Sequence, residues 1–336
     1  MAEPERGSMK ARTGTARAFM REPGLRPADA TPSVAYDVRC LCGSAAAYVA
    51  CDGVRDLEYG APGTYRWTKC QHCGLVRLNP SPTREVLSLA YPDHYHAYAT
   101  PRSAITRALV RLSKRKAAER LASYLPPGGT ILDVGCSTGE LLAAVGRLGH
   151  YQLWGVEYKA EAASEAEERG IRVWRGEFER ADLPPESADL VVLQHVLEHV
   201  ADPAETLQRI RRILRPSGWL FGEVPNIDSW DARIFGRYWG GGHAPRHLWH
   251  FTPRTLAETF ERSGFEAVTI KPILHTGHWA LSVQNALRWH KRDCRGLTSG
   301  RAWYYAPLLV ALVPINALEV LLSKTGVIRF QARRPS

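Results

Sequence analysis

The 336-residue chain has basic residues near its amino terminus but no apolar run behind them, which argues against a secretory signal peptide. Acids are in short supply. Asp and Glu number 34 against 44 Lys and Arg, a formal net charge of +10 that attracts polyanions: nucleic acid, anionic lipid or a phosphorylated substrate. Cysteine is scarce and odd in number, seven in all, which argues against a disulfide framework. Four of the seven fall in two close pairs, a pattern that suits a reducing compartment and a metal.

The most informative stretch runs from Thr130 to Glu140, TILDVGCSTGE. Ile131, Leu132 and Val134 suit a strand buried on both faces, and Gly135 and Gly139 let the backbone turn sharply and approach a ligand. Glu157 ends the next apolar run, LWGVE, and is placed to accept both hydrogen bonds of a ribose diol. A dinucleotide loop needs a further glycine where this chain has Ser137, so the turn suits a nucleoside ligand without a pyrophosphate.

Around that stretch, apolar runs and helical patterns alternate to about Pro225, the signature of a doubly wound, mostly parallel α/β sheet. Glu177 and Phe178 directly follow the third run, IRVWRG. There a carboxylate can accept from the exocyclic amine of a base and an aromatic ring can cover its face. Asp133, Cys136 and Gln194, at or just past strand ends, complete the expected cofactor-binding set of Asp133, Gly135, Cys136, Gly139, Glu157, Glu177, Phe178 and Gln194.

Ahead of this core, residues 1–35 lack apolar periodicity and read as a disordered terminus. Residues 36–100 carry Cys40, Cys42, Cys70 and Cys73, each pair followed by glycine, the outline of a zinc ribbon. The second knuckle, CQHCG, has the usual spacing. The first, CLCG, is one residue short, which leaves open recruitment of Cys51 or His72, or a metal-free remnant fold. Four protein ligands would make the Zn2+ structural. The following YPDHYHAY box, Tyr91 to Tyr98, either overhangs a ligand or packs between domains. Residues 101–128 include an amphipathic helix with Ile105, Leu109, Leu112 and Leu121 near one face and many basic residues elsewhere.

The core is expected over 129–272, with a loop at 226–251 rich in Trp, Gly, His and Arg, a composition that carries function more often than core. Residues 325–336 form its last strand and tail. Between them, 273–324 includes AWYYAPLLVALVPINALEVLLS, long enough to suggest a membrane span. If the strands on either side are neighbours, one crossing would put the last strand on the wrong side of the bilayer. The segment is therefore expected to be a helical insertion that packs on the core or dips into an anionic membrane face, with Trp279, Trp289, Trp303, Tyr304 and Tyr305 near the interface.

These residues together resemble the class I S-adenosylmethionine-dependent methyltransferases. ILDVGCSTG looks like their glycine-rich first motif, Glu157 their ribose acid, ADLVVLQHVLEHVADP their fourth-strand motif and ILRPSGWL the turn into their fifth strand. More narrowly, the order of ribbon, LNPSPT, tyrosine-histidine box, core and PRHLWHFTPRTL is similar to bacterial methyltransferases of glycan and antibiotic-sugar clusters. The resemblance implies a seven-stranded Rossmann-like sheet and S-adenosyl-L-methionine as cofactor. It also implies a glycan, sugar-nucleotide or lipid-linked saccharide acceptor, and a cytoplasmic enzyme that can touch the inner membrane face. HVLEHV-type segments also occur in ubiquinone-biosynthesis methyltransferases, so a small lipid or quinone is the alternative acceptor. The alternative of another class is an RNA-binding protein or RNA methyltransferase: the ribbon and basic charge allow it, but the ribbon lacks interleaved basic and aromatic residues. The expected proton acceptors are His247, His199 and His195. In the resembling sugar enzymes an acid precedes the histidine corresponding to His247. Here Arg246 stands there, which points to an anionic group on the substrate.

Overall fold

In the computed structural model, residues 39–92, 104–288 and 304–336 are described. The expected disordered terminus, His94 to Tyr98 of the tyrosine-histidine box, Trp289 and Trp303 lie outside them.

Seven strands form one sheet: β4 (Thr130–Val134), β5 (Gln152–Glu157), β6 (Arg172–Arg175), β7 (Ala188–Gln194), β8 (Leu214–Pro225), β10 (Glu266–Ile273) and β11 (Val327–Arg333). Their order is β10-β11-β8-β7-β4-β5-β6. Only β11 runs against its neighbours, so the sheet is mostly parallel and Rossmann-like. The strands flanking the insertion are therefore paired directly, Lys271 with Arg329 and Ile270 with Phe330. Both ends of that insertion are anchored in one sheet edge.

Helices cover both faces because the central strands are apolar throughout. β4 is buried at every position, and adjacent Ile131 and Leu132 join opposite core layers. One layer holds α2 (Ala104–Ala122), α3 (Glu140–Gly146) and α4 (Ala160–Glu168), packed through Ala118, Leu121, Leu142, Val145 and Ala166. The basic helix α2 buries less than its pattern promised: Leu112 is half exposed, while Ala118 and Leu121 near the carboxyl end do the packing. The other layer holds α5 (Pro203–Ile213) and α7 (Pro253–Arg262), which contribute Leu207, Ile210, Leu256 and Phe260. Local chemistry starts both helices. Asp202 accepts from the Ala204 and Glu205 amides before Pro203-led α5, and Thr252 and Thr255 form a reciprocal capping box on α7.

A second sheet has the order β1-β2-β3-β9. Its first three strands, β1 (Ala47–Val54), β2 (Tyr65–Cys70) and β3 (Val76–Asn79), form an antiparallel meander, followed by α1 (Arg84–Ala90). The fourth, β9 (Trp249–His250), comes from the loop after β8 and pairs with Val76 and Arg77. Thus the amino-terminal unit and the core share a sheet. The insertion supplies α8 (Gly277–Arg288), α9 (Tyr305–Ala311) and α10 (Val313–Leu321), which pack around α6 (Trp230–Phe235) through Trp279, Phe235, Leu308 and Leu312. No helix among the described residues is long and apolar enough to cross a membrane.

Candidate active site

At the carboxyl edge of the large sheet, the turn after β4 is folded against β5. Gly135 and Cys136 donate their amides to the Val156 carbonyl at 2.8 and 3.1 Å. Gly135 has φ +74°, and a Cβ there would meet the Val196 side chain at 3.1 Å. Gly139, also at φ +74°, is fixed by packing too, because a Cβ would lie 2.3 Å from Ile171. Between them Ser137, at φ +49°, turns its amide to Glu157 Oε2 at 2.8 Å. The Lys159 amide donates to Oε1 of the same carboxylate at 2.8 Å. Two backbone donors thus aim a buried carboxylate at the carboxyl edge of the sheet.

Asp133 is buried on β4 beside this group. Burial, reinforced by the Glu157 charge, pushes its carboxyl up to about 7. Cys136 is buried, with its thiol against Gly155, and is a wall of the turn rather than a reactive group. Gln194 stands exposed at the end of β7. Glu177 is half exposed and paired with Arg180 at 3.2 Å. The expectation for Phe178 needs correction. It is buried in the main core with the Arg209 guanidinium 5.3 Å from its ring centre, so it backs the site instead of offering a free face to a base.

The three candidate histidines lie on the acceptor side. His195 follows β7 in the left-handed region, φ +53°, its amide bonded to the Glu223 carbonyl at 2.9 Å. A non-glycine residue held there stores strain, of the kind that gathers at functional sites. The turn brings His195 Nδ1 to Glu198 Oε1 at 3.1 Å. Burial opposes a charge on His195, but the Glu198 hydrogen bond and the Glu198 and Glu223 charges raise its pKa above the ordinary value.

His199 and His247 meet edge to face, ring centres 4.5 Å apart. His199 Nδ1 lies 3.0 Å from the Arg246 carbonyl and 2.9 Å from the Tyr91 hydroxyl. His247 Nδ1 lies 2.8 Å from the Gly241 carbonyl. A carbonyl only accepts, so both Nδ1 atoms carry the proton and both Nε2 atoms carry a lone pair. Burial holds His199 at about 4 and His247 well below its usual range, so both rings are neutral at pH 7. Glu198, His199 and His247 each bring a ligand-type atom within 4.8 Å of the others, a composition that suits either proton transfer or a small cation.

Arg246 does not face a substrate. It is fully buried, with Nη1 3.1 Å from Asp56 Oδ2 and Nη2 3.4 Å from Glu58 Oε1, and it also donates to the Ala90 carbonyl. Its charge is spent on the amino-terminal unit, which corrects the expectation of an anion-binding arginine. His243 Nδ1 approaches Glu58 at 2.5 Å, and its ring packs on His247 at 4.8 Å. A narrow pocket beside them, with room for about one water-sized group, is lined by Glu58, Trp67, Trp239, His243 and Asn285. Glu198, Asp56 and Glu58 escaped the sequence reading. Glu198 carried a signal, three residues after His195 and one before His199, whereas the two meander acids carried none.

The four paired cysteines converge. Cys40 and Cys73 sulfurs are 3.5 Å apart, those of Cys42 and Cys70 3.6 Å, and all four lie within 4.8 Å of one another. Zinc–sulfur bonds of about 2.3 Å in a tetrahedron put sulfurs about 3.8 Å apart, so the donor set fits zinc despite the short knuckle. The contact between Cys40 and Cys73 holds the Cys73 thiol down at about 5 and pushes Cys40 up. Neither alternative ligand belongs to the cluster. Cys51 sits among Asp52 and Arg237, and His72 is exposed.

With this geometry in view, residues 106–270 match the model of a methyltransferase domain family. A ubiquinone biosynthesis O-methyltransferase of Methylobacterium sp. is 30% identical over 177 residues, 48% of this chain and 71% of that protein. The chain belongs to the methyltransferases. S-adenosylmethionine is the cofactor expected of such a fold, and the amide-held Glu157 beside a glycine turn fits its nucleoside. An uncharacterized 37.1 kDa protein in transposon TN4556 of Streptomyces fradiae is 28% identical over 55% of this chain. The match spans only 56% of that relative's length. A crystallised SAM-dependent methyltransferase from Archaeoglobus fulgidus is 20% identical, with 66% of this chain and 94% of that one covered at a TM-score of 0.45.

Proposed function

We propose that this methyltransferase acts on a saccharide: a glycan, a sugar nucleotide or a lipid-linked saccharide. S-adenosylmethionine, when bound, supplies an electrophilic methyl group on a sulfonium. The chain's own task is to hold an acceptor in line and take up its proton. Neutral His199 and His247 suit that role, since each Nδ1–H is tied to a carbonyl and each Nε2 is free to accept. His195, hydrogen-bonded to Glu198, is a relay for the proton toward solvent. The observation that supports the acceptor reading is the narrow pocket beside His243, where aromatic rings stand with buried polar atoms. Trp67 Nε1 and Asn285 Oδ1 have no partner among the described residues, and the space there suits a single hydroxyl at the edge of an acceptor.

Calorimetry with S-adenosylmethionine, followed by turnover on a panel of sugar nucleotides and isoprenoid-linked sugars, tests the proposal. Methylation of a quinol in preference to every saccharide would overturn it. That second reading is favoured by one observation, the similarity to a ubiquinone biosynthesis O-methyltransferase. The four-cysteine cluster is assigned to structural zinc, and metal analysis is expected to find one zinc per chain.

A further inference from the structure

A helix that lies on a protein core normally buries an apolar stripe. In α8 the buried stripe at positions i, i+4 and i+7 is polar: His278, Ser282 and Asn285 are 6, 0 and 4% exposed. Buried polar groups persist where they find hydrogen-bond partners. Here the partner is the backbone of the loop after β8. Asn285 Nδ2 donates to the Tyr238 carbonyl at 3.3 Å, Ser282 Oγ accepts the Gly240 amide at 2.7 Å, and the His278 ring lies against Gly241. The loop therefore runs antiparallel to α8 along this stripe. Two glycines make the contact possible, because a Cβ at Gly240 would overlap the His278 carbonyl and one at Gly241 would stand 2.9 Å from His278 Nδ1.

The orientation of Ser282 is fully determined. Its hydroxyl proton goes to the His278 carbonyl at 2.7 Å, which leaves an oxygen lone pair for the Gly240 amide. Behind it, α8 is held by α10: the His275 amide donates to Asn316 Oδ1 at 2.6 Å, and Trp279 Nε1 to Glu319 Oε2 at 3.0 Å. Trp279, expected from the sequence at a lipid interface, is thus an inner anchor. From the other side, Asp231 Oδ2 of α6 accepts from Trp239 Nε1 at 3.0 Å. The loop so held reaches the candidate base one residue further on, where the Gly241 carbonyl receives His247 Nδ1 at 2.8 Å. We propose that Ser282, with His278 and Asn285 beside it, is a positioning residue for His247. The insertion fixes the Gly241 carbonyl, and that carbonyl sets the tautomer and direction of the ring. The role in turnover rests on the reading of His247 as proton acceptor; the clamp on the ring does not.

Nitrogen-15 spectra of the full chain labelled in histidine test this, with His247 assigned by the loss of its signals in His247→Asn. In the parent, His247 is expected as a single tautomer protonated at Nδ1. Ser282→Ala leaves the Gly240 amide without its acceptor. It is expected to turn the His247 spectrum into an average of two tautomers and to lower turnover about tenfold on any saccharide that the parent methylates, with S-adenosylmethionine affinity unchanged by calorimetry. Leu312→Ala separates positioning from plain loss of stability, because Leu312 packs within the insertion and lies outside the stripe. It is expected to lower the melting temperature at least as far as Ser282→Ala while the His247 spectrum stays intact. An unchanged His247 spectrum in Ser282→Ala would overturn the proposal, and so would the same spectral change in Leu312→Ala. The spectra need no acceptor, so a chain that methylates quinols and no saccharide would end the function proposed above and leave the clamp to be decided by His247 itself.

Discussion

The two halves of the site are built on different principles. The cofactor side uses one continuous turn, Gly135 to Gly139, and a carboxylate at the end of the adjacent strand, with backbone amides as the aiming groups. The acceptor side gathers Tyr91, His195, Glu198, His199 and His247 from three separated segments, and two acids of the amino-terminal meander fix its loop. A backbone-built site tolerates change in its side chains. A site assembled from side chains across a domain boundary depends on the whole boundary.

The contrast breaks most visibly at Arg246. Replacing it by Met leaves Asp56 and Glu58 buried together without their cation, and a loss of about 3 to 5 kcal/mol in urea unfolding is expected. Adding Asp56→Asn is expected to restore part of that loss. A stability change near zero would show that the boundary does not hold the acceptor loop.

His247→Asn keeps a side chain that can donate to Gly241 but removes the lone pair of Nε2. Turnover is expected to fall by about a hundredfold or more with S-adenosylmethionine affinity unchanged. An equal fall in cofactor binding would mean that the two halves are not separable. A second equivalent of metal in the parent enzyme, lost in His247→Asn while the one expected at the four cysteines is kept, would reassign Glu198, His199 and His247 as metal ligands. On the opposite side, Glu157→Ala is expected to weaken cofactor binding by about tenfold to a hundredfold, at a cost of about 1 to 3 kcal/mol in unfolding for the two amides it leaves unpaired. Unaltered affinity by calorimetry would refute the ribose assignment.

The smallest effect is on pH. His250 is buried and held by desolvation at about 3, below its unfolded value of about 6.5. The unfolded chain therefore takes up the proton first. This contribution is complete above pH 6.5 and drains away as pH falls toward 3, at up to about 1.4 kcal/mol per unit. Melting temperatures between pH 7.5 and 5.5 are expected to drop less steeply in His250→Asn, and identical slopes would sink the argument.

The same contrast explains what the sequence disclosed. TILDVGCSTGE, Glu157 and the alternation through Pro225 are local patterns, and the sheet follows them. The return of the insertion to its starting side was also legible, once the strands around it were supposed to be neighbours, and they are. Arg246 was misread because nothing local to PRHL reveals that Asp56 and Glu58, far earlier in the chain, lie beside it. Phe178 was misread for a related reason. An aromatic after a strand looks the same in sequence whether it covers a ligand or closes a core. Helix α10 showed only its apolar content, and the burial of Asn316 and Glu319 was hidden, since which face of a helix turns inward is decided by what it packs against.

Strand β9 also sets an order of events during synthesis. The meander β1–β3 leaves the ribosome long before Trp249 and His250, so its outer edge at Val76 and Arg77 stays open while much of the enzyme is still being made. An open edge invites pairing with a neighbouring chain. Early capture of a metal by the four cysteines would stiffen the meander through that interval. Cells starved of zinc are then expected to accumulate this protein as aggregate, through a failure that occurs before the active site exists.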